Sequence, residues 1–162
     1  MKKAAAFVLT AALVAAPAWG QDAKKDCAPP PRELVKKDLV VGQGDDVVFR
    51  TAALVAYTGW VYDGCAKDFK GEQFDTSDGR VTPFGLVVGA GKVIKGWDDG
   101  LIGMKTAGRR QLIIPPELAY GDKSPTPKIP PNSTLVFEVS IIKILQGPPP
   151  TPAPKAPAAP PK

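Results

Sequence analysis

Only one stretch of this chain spaces its apolar residues as a helix face. In VIKGWDDGLIGM, from Val93 to Met104, the apolar positions are Val93 and Ile94, then Trp97, then Leu101 and Ile102, the three-to-four spacing of a helix. The remaining apolar runs are short, rich in β-branched and aromatic residues, and bounded by Gly, Pro or Asp. They are DVVFRTAALVAYTGW from Asp46, Thr82 to Val88, Arg109 to Ile114 and Thr134 to Leu145, and runs of this kind read as strands. In the last of them Leu135, Phe137, Val139 and Ile141 alternate with Thr134, Glu138 and Ser140, the period of two that marks a strand with one buried face. One short helix against a curved antiparallel sheet is an α+β arrangement.

The two ends of the 162-residue chain differ from this middle. Residues 1–20, MKKAAAFVLTAALVAAPAWG, carry Lys2 and Lys3, an apolar run to Ala16, and small residues at Ala18 and Gly20. That is the layout of a secretory signal peptide cleaved near Gly20, with Ala18 as the second candidate. The run is shorter than the ~20 residues that span a bilayer, so no stable membrane insertion is expected. No cysteine directly follows either cleavage site, so no lipoprotein anchor is expected. The expected location is exported, periplasmic or extracellular. Residues 147–162, GPPPTPAPKAPAAPPK, hold 8 of the 19 prolines and no aromatic or branched aliphatic residue. Such a tail cannot bury a core and is expected to be disordered, favouring polyproline II at ~3.1 Å per residue.

The formal charge of +5 comes mainly from these ends, because Lys2, Lys3, Lys155 and Lys162 lie in them and residues 21–146 retain only +1. A nucleic-acid partner, which needs a clustered basic face, is not expected. The absence of histidine excludes Ser-His and Cys-His dyads and His-ligated metals, and two cysteines cannot make a Cys₄ site. No metal or cofactor is expected. Gly89-Ala90-Gly91 has Ile94 where a dinucleotide fingerprint needs glycine, and Gly91-Lys92 is followed by Val93 instead of Ser or Thr. Asp75-Thr76-Ser77-Asp78-Gly79 opens somewhat like a calcium loop, but its twelfth position is Leu86. Asn132-Ser133-Thr134 satisfies a glycosylation sequon and reads as turn chemistry after Pro130-Pro131.

What remains is an ordered series: Tyr57-Thr58-Gly59, Phe74-Asp75-Thr76-Ser77, Pro83-Phe84, Val93-Ile94-Lys95-Gly96-Trp97, Ala119-Tyr120-Gly121, Ile129-Pro130-Pro131 and Thr134-Leu135-Val136-Phe137. Together these strongly resemble the FKBP family of peptidyl-prolyl cis-trans isomerases, from about Leu34 to Leu145. The resemblance implies a curved antiparallel sheet of about five strands wrapped around one helix, with the active site between them. It divides the chain into a signal peptide (1–20), an N-terminal extension (21–33), an isomerase domain (34–146) and the tail (147–162).

By the same resemblance, Tyr57, Phe84 and Phe137 are pocket walls and Trp97 is the floor under the substrate proline. Val93 and Ile94 line the helix entrance, with the Ile94 N–H open to a ligand carbonyl. Asp75 and Tyr120 are the polar side chains of the pocket, and Phe74 and Ile129 complete its rim. Asp75, Tyr120 and Phe137 are the expected catalytic residues, the other seven bind substrate, and the partners are proline-containing polypeptides and rapamycin-type macrolides. The implied reaction is rotation about an X–Pro amide during the folding of exported proteins, which breaks no covalent bond and needs no nucleophile. The alternative is a non-enzymatic module of the cell envelope that holds proline motifs or acts as a chaperone.

Three departures stand out. The segment after Tyr57 is several residues longer than in minimal family members and carries Cys65; the only other cysteine is Cys27. In an oxidising compartment a Cys27–Cys65 bridge would pin the N-terminal extension to this insertion, the alternative being two free thiols. The loop after Tyr120 has Pro125 where the family often has histidine and Lys128 where an apolar residue is common. Lys92 adds a second cation at the pocket edge. Residues 21–33 are too short for the helical dimerisation domain of some secreted relatives, so a monomer is expected.

Overall fold

The computed structural model describes residues 27–145. The expected signal peptide, the start of the expected extension and the Pro-rich tail lie outside the described residues. Eight strands and one helix follow in the order β1 (Val35–Val40), β2 (Gln43–Asp46), β3 (Ala52–Tyr62), β4 (Lys70–Thr76), β5 (Phe84–Val87), α1 (Lys95–Gly100), β6 (Lys105–Thr106), β7 (Arg109–Ile114) and β8 (Leu135–Leu145). Every pairing is antiparallel. The main sheet runs β1-β7-β8-β3-β4, with β5 also on β3; β2 and β6 pair separately. The α+β fold and the sheet path of five strands agree with expectation.

β3 shows why the sheet has two distinct faces. Ala53, Val55, Tyr57 and Gly59 are buried while Ala52, Leu54, Ala56, Thr58 and Trp60 are half-buried, the alternation that a pleated backbone imposes. β4 and β5 occupy the same edge of β3, the first opposite Thr58 to Tyr62 and the second opposite Ala52 to Val55. The chain therefore leaves the sheet between them, beside Tyr57. There the Tyr57 N–H donates to Ser77 Oγ at 2.8 Å and the Ser77 N–H to the Tyr57 carbonyl at 2.8 Å.

The expected strand from Asp46 is broken. β2 ends at Asp46, and residues 47–51 form a tight turn in which Arg50 takes φ 67° and the Val47 N–H donates to the Met104 carbonyl. This tertiary contact overrides the β propensity of the local sequence. The helix is also shorter than its apolar pattern. Val93 and Ile94 precede it, and Ile102 lies beyond it and is exposed. α1 approaches β7 through Gly96 and Gly100, one turn apart. A Cβ at Gly96 would lie 2.4 Å from Ile114 Cγ2, and one at Gly100 2.8 Å from Leu112 Cδ1. Trp97 and Leu101 then enter the core with Val55, Leu112, Ile114, Leu135 and Phe137.

Arg110 fastens the helix end to the sheet. Its guanidinium donates to Asp38 through Nε and Nη2, and through Nη1 to the carbonyls of Gly100 and Ile102. A buried cation is tolerable because all three of its nitrogens have acceptors, with Nη1 held by carbonyls at a helix C-terminus.

Part of the other sheet face, around Tyr62 and Gln111, is covered by the insertion and the N-terminal extension. Tyr62 stacks on Phe69 with centroids 5.4 Å apart, and its hydroxyl donates to the Ala28 carbonyl at 3.0 Å. Gln111 Nε2 donates to the Asp68 carbonyl, and the Ala28 N–H to that of Gly64. Cys27 and Cys65 are disulfide-bonded, with Cα atoms 4.5 Å apart. No helix among the described residues is long and apolar enough to cross a membrane.

Candidate active site

The inner face of the sheet and the helix leave a cavity of about 570 Å³ between them. Trp97 sits where three other rings meet it nearly edge-on. The centroid distances are 5.1 Å to Tyr57, 5.3 Å to Phe137 and 6.1 Å to Phe84, with planes 80–86° apart. Phe74 closes the set, 5.5 Å from Phe137. These are the edge-to-face arrangements that ring quadrupoles favour. Five separate segments contribute: β3 gives Tyr57, β4 Phe74 and Asp75, β5 Phe84, α1 Trp97 and β8 Phe137. Trp97 is 4 % exposed, and its indole N–H is buried without a hydrogen-bond partner among the described residues. An unpaired buried donor is a destabilising feature that concentrates at functional sites.

The polar side of the cavity is organised by Asp75. Oδ2 accepts the Tyr57 hydroxyl at 2.6 Å, while Oδ1 accepts Arg80 Nη2 at 2.7 Å and the Thr76 N–H at 2.9 Å. Both carboxylate oxygens are thus engaged. Burial, reinforced by the hydrogen bond to Asp75 and its charge, pushes the Tyr57 hydroxyl up to about 12, with Arg80 partly opposing. Burial and the charge of Asp75 also raise Tyr120. Both phenols therefore stay protonated at neutral pH and remain donors.

The entrance segment is held from the helix. Asp98 accepts the N–H of Gly89 through Oδ1 at 2.7 Å and that of Gly91 through Oδ2 at 3.0 Å. This clamp sets the path of Lys92, Val93 and Ile94 along the cavity. The Ile94 carbonyl accepts the first helical N–H groups, but its own N–H makes no hydrogen bond among the described residues. The Tyr120 hydroxyl likewise has no partner among them.

The chain matches the family described as FKBP-type peptidyl-prolyl cis-trans isomerase over residues 44–142. It belongs to that family. The FK506-binding protein of Neisseria meningitidis serogroup A is 41% identical over 113 residues, covering 70% of this chain and 97% of that protein. Peptidyl-prolyl cis-trans isomerase FKBP2 of Mus musculus is 48% identical over 88 residues, 54% of this chain and 58% of its own. The crystal structure of AtFKBP13 superposes with a TM-score of 0.59 at 37% identity, covering 72% of this chain and 96% of that one.

This FKBP-type isomerase brings together nine of the ten residues expected at its pocket: Tyr57, Phe74, Asp75, Phe84, Val93, Ile94, Trp97, Tyr120 and Phe137 all line the cavity. Ile129 does not. It is 3 % exposed and packs in the core, with Ser124 Oγ donating to its carbonyl. Nor does Lys128 line the cavity, whereas Lys92 does. Sequence reasoning missed Lys95, Ala119 and Gly91 as lining residues, and Arg80 and Asp98 as supports. Asp98 was findable, since an acid one turn into a helix that follows a Gly-x-Gly turn can reach back to the amides of that turn. Arg80 carries no such signal, because only the departure of the chain between β4 and β5 brings it back to Asp75.

Proposed function

We propose that this isomerase is exported and accelerates proline-limited folding of exported proteins, by stripping water from an X–Pro amide and stabilising its twisted form. The observation that carries this is the pairing of an apolar ring cage with the unengaged Tyr120 hydroxyl and Ile94 N–H on its lining.

The planar amide is more dipolar than the twisted one, so a water-poor aromatic cavity disfavours the ground state relative to the transition state. Rotation is opposed by ~18–20 kcal/mol and takes ~10–100 s unaided at 25 °C. Turnover in ~10 ms requires roughly 4–5.5 kcal/mol of relief. Two directed hydrogen bonds contribute about 1–3 kcal/mol each where water is excluded, and desolvation supplies the rest. In this scheme Trp97 supports the proline ring, with Phe74, Phe84 and Val93 around it. Ile94 and Tyr120 hold the flanking carbonyls. Asp75 fixes Tyr57 as a wall, its own oxygens being committed, and Phe137 presses on the reacting bond. Rapamycin-type macrolides are proposed ligands of the same cavity. The Cys27–Cys65 bridge and the signal-like residues 1–20 support export.

The test is cis-to-trans conversion of a short proline peptide, with and without rapamycin. Tyr120→Phe is expected to lower turnover modestly, and Asp75→Val or Phe137→Tyr to lower it more. A peptide that binds but isomerises at the uncatalysed rate would make the domain a binding module instead.

A further inference from the structure

The cavity carries two cations that the amide rotation does not use. Lys92 and Lys95 both line it, one on each side of Val93 and Ile94 in the chain, and both are exposed. Neither belongs to an ion pair among the described residues, whose salt bridges involve Lys70, Arg80, Lys105 and Arg110. The acids that could neutralise them are spent or turned elsewhere. Asp98 holds the amides of Gly89 and Gly91, and Asp99, four residues after Lys95, makes no salt bridge to it. Asp75 is the one acid lining the cavity, and both its oxygens are taken by Tyr57, Arg80 and the Thr76 N–H. The mouth is therefore a ring-lined proline cavity with uncompensated positive charge along one side.

A substrate carbonyl on the Ile94 N–H would sit on the segment that these two lysines flank, and both lysines line the same cavity as Ile94. We infer that Lys92 and Lys95 form a subsite for an acidic side chain next to the substrate proline, which makes acidic-Pro segments the preferred clients. The inference rests on the isomerase reading above and names the substrate class for it. Because both lysines are exposed, the attraction acts on encounter and binding, falls with ionic strength, and enters KM more than kcat.

The experiment compares proline peptides that carry Glu, Leu or Lys before the proline, and then after it. At ~20 mM salt, two lysines at several ångströms from one carboxylate favour Glu over Lys by about tenfold in kcat/KM at one of the two positions. At ~0.5 M salt this ratio falls toward one. In the double variant Lys92→Glu/Lys95→Glu the order inverts, and because a ratio is read, any general loss of activity cancels. Turnover of the Leu peptide with equal Glu and Lys rates at low salt overturns the subsite and leaves the isomerase reading standing. So does a preference that survives the double reversal. Failure to turn over any of the peptides removes both.

Discussion

Replacing both bridging cysteines with alanine isolates what the Cys27–Cys65 link contributes. The link closes a loop with a sequence separation of 38. For a loop of that length the chain-entropy relation gives ~13 cal/mol/K, or ~3.9 kcal/mol at 25 °C, removed from the unfolded ensemble. The native contacts around it do not depend on the sulfurs: Ala28 still pairs with Gly64, and the Tyr62 hydroxyl still reaches the Ala28 carbonyl. Unfolding entropy of ~2.1 cal/mol/K per residue over a domain of this size then places the Tm about 15 °C lower. Neither cysteine lines the cavity, so kcat/KM at a temperature where the variant is folded should stay within about twofold. Urea unfolding followed by tryptophan fluorescence gives the first quantity and the peptide assay the second. The wild type under reducing conditions should reproduce both. A double variant within ~1 kcal/mol of wild type would refute the loop-entropy argument. A folded but inactive one would refute the independence of the bridge and the cavity.

Three other outcomes follow from the site and the core. The raised Tyr57 hydroxyl, at about 12 in the folded protein against 10.0 unperturbed, favours the protonated form in the native state. Its stabilisation is complete below pH ~10 and lost as pH rises through 10 toward 12, so urea midpoints should fall over that range and fall less in Tyr57→Phe. Asp98→Ala frees the amides of Gly89 and Gly91 and should raise KM several-fold with a smaller change in kcat. Asp98→Asn, which keeps an acceptor, should be milder, and hydrogen exchange at the two glycines checks the mechanism. Gly96→Ala places a methyl against Ile114 and should destabilise by about 1–3 kcal/mol in chemical denaturation, partly relieved by Ile114→Val.

How much of this could be read in advance depends on the range of the interaction that decides it. β8 was legible because its two faces meet different environments, so Leu135, Phe137, Val139 and Ile141 alternate with half-buried Glu138 and Ser140. The ring cage was legible because the order of its motifs is itself informative. β1 and β4 were not, since VKKDLV and KGEQFDT carry little hydrophobic pattern. They are strands because β7 and β3 offer them free backbone partners, and in β1 because Asp38 meets Arg110. The helix is shorter than its apolar pattern because Val93 and Ile94 line the cavity from just before its first turn and so mimic a helical stripe. Ile129 was misplaced since a rim and the core beneath it differ only in depth, which a linear motif does not encode.

The position of β8 has a consequence for how the chain acquires its structure. It lies between β7 and β3 in the sheet, yet it follows every other strand in the sequence. A chain emerging N-terminus first therefore has β3 and β7 with no common neighbour, and the ring floor at Trp97 with no Phe137 against it, until the last strand is free. Closure of the whole sheet and of the ring cavity therefore waits for the last strand. The pairing of β8 with β3 joins segments far apart in the sequence, so this step is expected to limit how fast the domain folds.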